Sequence, residues 1–345
     1  MAEYFFDLNR NEQYEALEFA REQSGRPAHL LEKDVWVVWV LRALFDSPLA
    51  ADLTFKGGTS LSKAYRLIDR FSEDVDLTYD IRRLIPDLIP EGKFLPSSRS
   101  QSSKWTAAVR RELPAWVNNH VLPVITSALA EEELDATIEL TGKDSDTVLL
   151  RYSALSSGTG YVSPVVKLEF GGRATGEPHM EMPVRCDIAG LLEGVTFPEA
   201  KPVVMSLSRT FWEKATAAHV YCAQGRIRGE RYARHWHDLV SIADSAKFDA
   251  LLTDVDVASV VAEHKSCFFI EKDGDGKTID YRHAVSGGLC IVPTDAARDA
   301  LAKDYSAMIE DNVLVGGDVT FDELMAKCVG IQDTLNRIMA SNKAS

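Results

Sequence analysis

Apolar and polar positions alternate with two periods along this chain. Near the start, Tyr4, Phe5, Leu8, Tyr14, Leu17 and Phe19 recur among acids and Gln, which predicts helix over 3–24, ended by Gly25 and Pro27. Residues 29–45 carry Trp36, Val37, Trp39, Val40, Leu41, Leu44 and Phe45 on most faces, the pattern of a buried core helix. Asp52-Leu-Thr-Phe-Lys56 then predicts a short strand stopped by Gly57 and Gly58. A helix is expected from Thr59 to Arg70, with Leu61, Ala64, Tyr65 and Ile68 on one side. Val75, Leu77 and Tyr79 alternate with Asp74, Asp76, Thr78 and Asp80, a strand period.

Pro86, Pro90, Pro96 and the run Ser97-Ser-Arg-Ser-Gln-Ser-Ser103 predict a mobile loop over 86–104. A helical region interrupted by Pro114 and Pro123 is expected from Trp105 to about Ala130, followed by strands at 136–141, 147–153, 162–170 and 182–188. After Pro202 the pattern is helical to the end, apart from the apolar stretch around 267–270. The expected organisation is an N-terminal helical segment (1–50), an α/β core (51–200) and a mainly helical C-terminal domain (201–345). The fold class is therefore α+β.

Composition narrows the function classes. The chain has 345 residues, 46% hydrophobic and 26% charged, which excludes disorder and a membrane bundle. Its net charge of −14 argues against a general nucleic-acid coat protein and leaves room for a local basic cleft. Five cysteines without C-x-x-C spacing point away from a disulfide framework or zinc ribbon and toward a reducing compartment. The N-terminus lacks the order of a signal peptide, and the most apolar run, Val35 to Leu41, is too short to span a membrane. A cytoplasmic location is expected.

The chemistry concentrates at Phe55-Lys-Gly-Gly-Thr-Ser60 and Phe71-Ser-Glu-Asp-Val-Asp-Leu77. Glycines before a helix let a ligand approach the backbone, and the helix start suits phosphate. Standing alone, the glycine pair reads more simply as a tight turn. Asp74 and Asp76 change the weighing, because side chains at i and i+2 of a strand share a face. Two carboxylates on one face repel unless a cation joins them, and hard oxygen ligands suit Mg²⁺. The alternative is a solvated strand face.

These residues resemble the nucleotidyltransferase superfamily related to DNA polymerase β, whose motif is Gly-Gly/Ser, a helix, then Asp-hydrophobic-Asp. The wording F-K-G-G-T-S-L-S-K and R-F-S-E-D-V-D-L is similar to the AbiEii/AbiGii (MenT-like) toxin branch. Val165-Val-Lys-Leu-Glu-Phe170, Phe211-Trp-Glu-Lys214 and Arg231-Tyr-Ala-Arg-His-Trp-His-Asp-Leu239 fit it too, so the resemblance covers about 30–240. It implies a polymerase β-like core with a mixed sheet. It further implies two Mg²⁺ ions on Asp74 and Asp76 with a third acid, Asp187, and Lys167 facing the triphosphate of an NTP. Gly57, Gly58, Thr59, Ser60 and Ser72 would line the nucleotide site, joined by Lys214, Arg231 and Asp238. Glu169 competes with Asp187 as third acid, and since Lys167 and Glu169 share a strand face, a simple ion pair between them is the structural alternative. For Lys214, Arg231 and Asp238 the alternative is ion pairing between helices. His237-Asp238 lacks the other ligands of an HD phosphohydrolase. Gly276-Lys-Thr278 lacks the upstream glycine of a P-loop, and Asp273-Gly-Asp275 lacks the later residues of an EF-hand; both read as a polar turn.

Basic residues cluster. Arg82 to Arg111 holds seven basic residues and two acids, and Arg226 to His237 holds four arginines and one acid. With Trp105 and Trp236 nearby, such stretches suit an RNA backbone and a stacked terminal base. The resemblance implies transfer of NMP to the 3′ end of tRNA, a block of aminoacylation, and a cognate antitoxin. The competing readings are a nucleotidyltransferase with a small-molecule or protein hydroxyl as acceptor, and a non-catalytic nucleotide-binding regulator.

Overall fold

The computed structural model of the chain describes residues 2–70, 72, 74–142, 146–156, 163–226, 231–252, 254–310 and 319–343. It divides into two compact units: Met1–Ala64 with Ser72–Phe94 and Trp105–Met205, and Tyr65–Phe71 with Leu95–Lys104 and Ser206–Ser345.

The first unit is a seven-stranded mixed sheet with helices. Its strands are β1 (Leu53–Lys56), β2 (Asp74–Tyr79), β3 (Ala136–Thr141), β4 (Thr147–Tyr152), β5 (Val165–Gly171), β6 (His179–Glu181) and β7 (Val203–Met205). Their order is β3-β4-β5-β2-β1-β7-β6, with β2–β5 and β1–β7 parallel and the other pairs antiparallel. The expected strand at 162–170 begins at Val165; residues 161–162 lie outside the described residues. The expected strand at 182–188 shrinks to Val184–Arg185, paired with Glu199–Ala200 apart from the main sheet.

Helix α1 (Arg10–Ser24) opens on a capping box, with the Asn9 side chain accepting from the N–H groups of Asn11 and Glu12 and Glu12 reaching back to the Asn9 N–H. It closes on Gly25 in the left-handed region. Helix α2 (Ala28–Phe45) is buried along nearly its whole length, as its all-round apolar pattern requires. Trp36 stacks on Tyr152 of β4 at 5.1 Å. The charged residues Glu32, Lys33 and Asp34 are buried on α2 as well, each with a partner: Glu32 accepts from the N–H groups of Leu155 and Ser156, and Lys33 donates to the Ser163 carbonyl.

Helix α3 spans only Gly57–Lys63, short of the expected Arg70. Arg66 takes φ 53, which breaks the helical path, and residues 65–70 pack into the second unit. Helix α4 (Arg99–Trp116) begins inside the segment expected to be a mobile loop. Its serines serve as caps: the Ser98 hydroxyl accepts from the Gln101 N–H, and Gln101 in turn accepts from Ser97. A π-turn over Val117–Val121 carries the chain into α5 (Leu122–Glu131).

The second unit is helical: α6 (Leu207–Gln224), α7 (Ala233–Ala243), α8 (Val255–Phe268), α9 (Asp295–Glu310) and α10 (Phe321–Lys343). Trp105, in the first unit, and Trp236, on α7, were expected as base-stacking platforms, but both are fully buried. The Trp236 indole donates to the Ile291 carbonyl at 2.6 Å. Their apolar area is worth more in the core than on a wet face, which corrects that expectation. The acidic stretch at 273–277 is a polar turn, with Asp273 accepting from the N–H groups of Asp275 and Lys277. Among the described residues no helix is long and apolar enough to cross a membrane.

Candidate active site on the sheet

Register builds the site. In the parallel pair β2–β5, Asp74 stands beside Lys167 and Asp76 beside Glu169. In the antiparallel pair β1–β2, Lys56 stands opposite Asp76. Residues paired across strands share a face, so Lys56, Asp74, Asp76, Lys167 and Glu169 are collected on one side of three adjacent strands. Val75 and Leu77 point to the other side and are fully buried, which fixes the register against a one-residue slip.

The charged face is half-exposed. Lys167 Nζ lies 2.5 Å from the Glu169 carboxylate, each about two-fifths exposed at 41%. Partial burial pulls the Lys167 ammonium down, but the carboxylates of Glu169, Asp74 and Asp76 outweigh it and raise its pKa. Lys167 therefore stays charged and faces all three acids. The expected ion pair between Lys167 and Glu169 is present, and it leaves the lysine next to Asp74 and Asp76.

Gly57 bears directly on Asp76. Its φ is 79, and a Cβ there would fall 2.1 Å from Asp76 Oδ2. Only glycine lets the turn lie against that carboxylate. Thr59 and Ser60 are buried, and their hydroxyls work within the turn: Thr59 Oγ1 bonds Ser72 Oγ at 2.8 Å and donates to the Asp74 carbonyl, and Ser60 Oγ donates to the Gly57 carbonyl at 2.9 Å. Gly58 is buried with them. Together these bonds tie the start of β2 to α3. Phe71 and Glu73, part of the same motif, lie outside the described residues.

Asp187 is placed elsewhere in the first unit, off the seven-stranded sheet. Its carboxylate pairs with Lys63, at 2.6 Å, and with Arg26, and its N–H donates to Asp34 Oδ2 at 2.6 Å. Lys63 also pairs with Asp34. Burial pushes Asp34 up to about 6 against the pull of Lys63, while Lys63, lowered by burial, is raised by Asp34 and Asp187. The cluster anchors the end of α3 to α2. The carboxylate in register with the Asp74–Asp76 pair is Glu169.

Lys214, Arg231 and Asp238 belong to the second unit. Asp238 has no exposed surface and receives Arg70 through two bonds, at 2.7 and 2.8 Å, and Lys214 at 2.8 Å. Burial would raise its pKa, but Arg70 and Lys214 hold it well below the usual carboxylate range. Arg231, with φ 66, has its N–H capped by Asp304 at 2.5 Å, and Asp304 also caps Ala233 at the start of α7.

Lys56, Lys63 and Arg70 were not singled out from the sequence. Lys56 was legible from the two-residue strand period. Lys63 and Arg70 were not, because their partners lie up to 168 residues away.

Asp74 and Asp76 offer hard oxygen donors on a half-exposed face, and the tight Gly57 turn keeps that face free of a side chain. This suits a divalent cation that takes its remaining ligands from phosphate and water, as Mg²⁺ does. Among the described residues, no three His, Cys, Asp or Glu side chains are placed to cage a metal by themselves.

No curated protein sequence matches the chain. Among solved structures it is similar to MenT4, a nucleotidyltransferase toxin from Mycobacterium tuberculosis, at 18% identity over 97% of this chain and 99% of that one, with a TM-score of 0.41. The family model described as "Nucleotidyl transferase AbiEii toxin, Type IV TA system" matches residues 39–327, which takes in the glycine turn, the acid pair and the helical motifs. The chain belongs to the AbiEii nucleotidyl transferase toxin family of type IV toxin–antitoxin systems and is a nucleotidyltransferase.

Proposed function

We propose that the chain transfers a nucleoside monophosphate from an NTP to the 3′-hydroxyl of tRNA, with Mg²⁺ held by Asp74 and Asp76, and so stops translation unless a cognate antitoxin intervenes. The observation that carries this reading is the register that sets Asp74 and Asp76 beside Lys167 on one half-exposed face. When bound, Mg²⁺ supplies charge neutralisation at the α-phosphate and at the attacking hydroxyl. Lys167 offsets the charge that develops on phosphate oxygens, and its ion pair with Glu169 holds it in place. Glu169 acts as the acid that positions Lys167, and Asp187, whose carboxylate is engaged by Lys63 and Arg26, braces the end of α3. Gly57 and Gly58 give the phosphates room, while Thr59, Ser60 and Ser72 keep the turn in shape. Lys214, Asp238 and Arg231 organise the helices of the second unit, as their burial and capping bonds favour.

An RNA acceptor is supported by the basic stretch from Arg82 to Arg111. Arg83 and Arg111 are 67% and 73% exposed, and their ion pairs, with Asp52 and Glu112, lie at the surface. Such surface pairs are weak, so phosphate can displace the acids. In the second stretch, Arg228 lies outside the described residues.

The test is incubation of the chain with each labelled NTP, Mg²⁺ and total RNA. Label on the 3′ end of tRNA, falling steeply with salt, is the expected result. Label on protein or a small molecule with tRNA inert, or NTP binding without any transfer, would overturn it in favour of the competing readings.

A further inference from the structure

Strand β2 runs past the acid pair and ends beside a cleft that the transfer centre does not use. Tyr79, its last residue, is out of phase with Asp74 and Asp76, so its ring lies on the opposite face of the sheet. The ring stacks on Trp116 at the end of α4, with centroids 3.9 Å and planes 19° apart. Trp116 is buried and meets Phe170 of β5 edge-on at 5.9 Å. His120 follows 6.5 Å from Trp116, its ring tilted by 29°. Tyr79, Trp116 and His120, with Arg83, Glu112 and Asn119, line an open cleft of about 250 Å³ within the first unit.

Pro123 explains the local shape. It has no N–H to give the Asn119 carbonyl one turn earlier, and its ring crowds that carbonyl. The chain answers with the wide π-turn over Val117–Val121. Val117 and Val121 stay buried, while Asn118, Asn119 and His120 are all exposed. The Asn118 amide donates to Asn119 Oδ1 at 2.9 Å, which orients the Asn119 side chain. At the mouth, Arg83 pairs with Asp52 at 3.2 Å, an exposed contact that an anion can displace. Glu112 meets Arg111 through Oε1. The cleft thus joins a flat aromatic wall, side chains that give and take hydrogen bonds, and a surface guanidinium. A purely apolar ligand would leave the polar groups unanswered, whereas an unstacked base with its phosphate answers each of them.

We propose that this cleft binds one unpaired nucleotide of the RNA acceptor, upstream of the reacting 3′ end. The inference rests on the reading of RNA as the acceptor. The base stacks on His120 and extends the run of rings. Asn119 and Glu112 meet its Watson–Crick edge, and Arg83 takes the phosphate. Glu112 accepts from an exocyclic amino group, which cytosine carries and uracil lacks. Tyr79 lies three residues beyond Asp76 on β2, about 10 Å along the strand and on the other face of the sheet. The cleft is therefore separate from the place of the incoming NTP, and it selects RNA by a base that takes no part in the transfer.

The test measures binding of the full chain to fluorescein-labelled oligo(C), oligo(U) and total tRNA by anisotropy, without NTP. Oligo(C) should bind about tenfold more tightly than oligo(U). His120→Ala should weaken oligo(C) and tRNA by about tenfold. Arg83→Gln should weaken both oligomers alike and lower the slope of log affinity against log salt by about one. Thr126→Ala, exposed on α5 outside the cleft, should change nothing. Equal affinity of folded His120→Ala and wild type for oligo(C) and tRNA would overturn the proposal. So would CMP binding as tightly as oligo(C), which would give the cleft to a free nucleotide. If wild type shows these differences yet labels no tRNA, the transfer reading fails and the cleft stands. If wild type labels tRNA and His120→Ala binds it equally well, the cleft fails and the transfer reading stands.

Discussion

Two clusters of carboxylate and lysine in this molecule have similar chemistry and opposite surroundings. On the sheet, Asp74, Asp76 and Glu169 face Lys167 on a half-exposed surface. In the helical unit, Asp238 is sealed from water and answered by Arg70 and Lys214. The first has more acid than base and is open to solvent, the setting that the proposed cation and phosphate would need. The second is closed by its own partners, so its charges hold helices in place. Exposure and charge balance, more than residue type, separate a site that can do chemistry from one that organises a fold.

That contrast breaks most visibly at Asp238. Asp238→Ala leaves Arg70 and Lys214 buried without their acid and should cost about 3–5 kcal/mol, read by urea melts. Loss of less than about 1 kcal/mol, the value of an exposed pair, would mean the cluster is not sealed. Lys167→Met should leave stability within about 0.5 kcal/mol, since the pair it breaks is exposed, yet slow nucleotide transfer by about 10²-fold through loss of a fixed positive charge. Steady-state rates beside thermal melts check both halves.

Gly57 and Gly25 sharpen the comparison further. Both have positive φ, but a Cβ at Gly25 meets nothing within 4 Å, whereas at Gly57 it meets Asp76. Each alanine substitution should cost about 1 kcal/mol from backbone strain. Only Gly57→Ala should also lower transfer, by about tenfold or more, because it displaces the Asp76 carboxylate.

The smallest effect concerns Glu32, a buried acid answered by backbone N–H groups in place of cations. Burial raises its pKa from 4.5 to about 7. An acid raised in the folded state binds its proton more tightly there than when unfolded. Its contribution is therefore full below pH 4.5 and is lost as pH rises through about 7. Urea melts from pH 5 to 8 should show wild-type stability falling along the series, and Glu32→Gln should flatten that decline. An equal slope in both proteins would assign the decline to other groups.

Much of the sheet site was legible because its determinants are local. The period-2 pattern of 74–79, the glycine turn and the in-strand spacing of Lys167 and Glu169 each depend on neighbours a few residues away. What was not legible depends on long-range contact. Helix α3 stops at Lys63 although apolar positions continue to Ile68, because Arg66 turns the chain and the following residues pack in another unit. The serine run reads as loop by composition, yet the Ser98 hydroxyl caps α4. Asp187 resembles a metal acid by motif, but its surroundings, Lys63, Arg26 and Asp34, are known only once the chain is folded. Trp105 and Trp236 have the right chemistry to stack on a base and are spent in the core.

The central claim is that the open acid pair is the transfer centre. The most direct measurement compares label transfer from an NTP to tRNA by wild type and Asp76→Asn at matched fold, verified by circular dichroism and Tm. The account predicts equal melting and a loss of transfer of at least about 10³-fold in the variant. Transfer by Asp76→Asn within about twofold of wild type would contradict it.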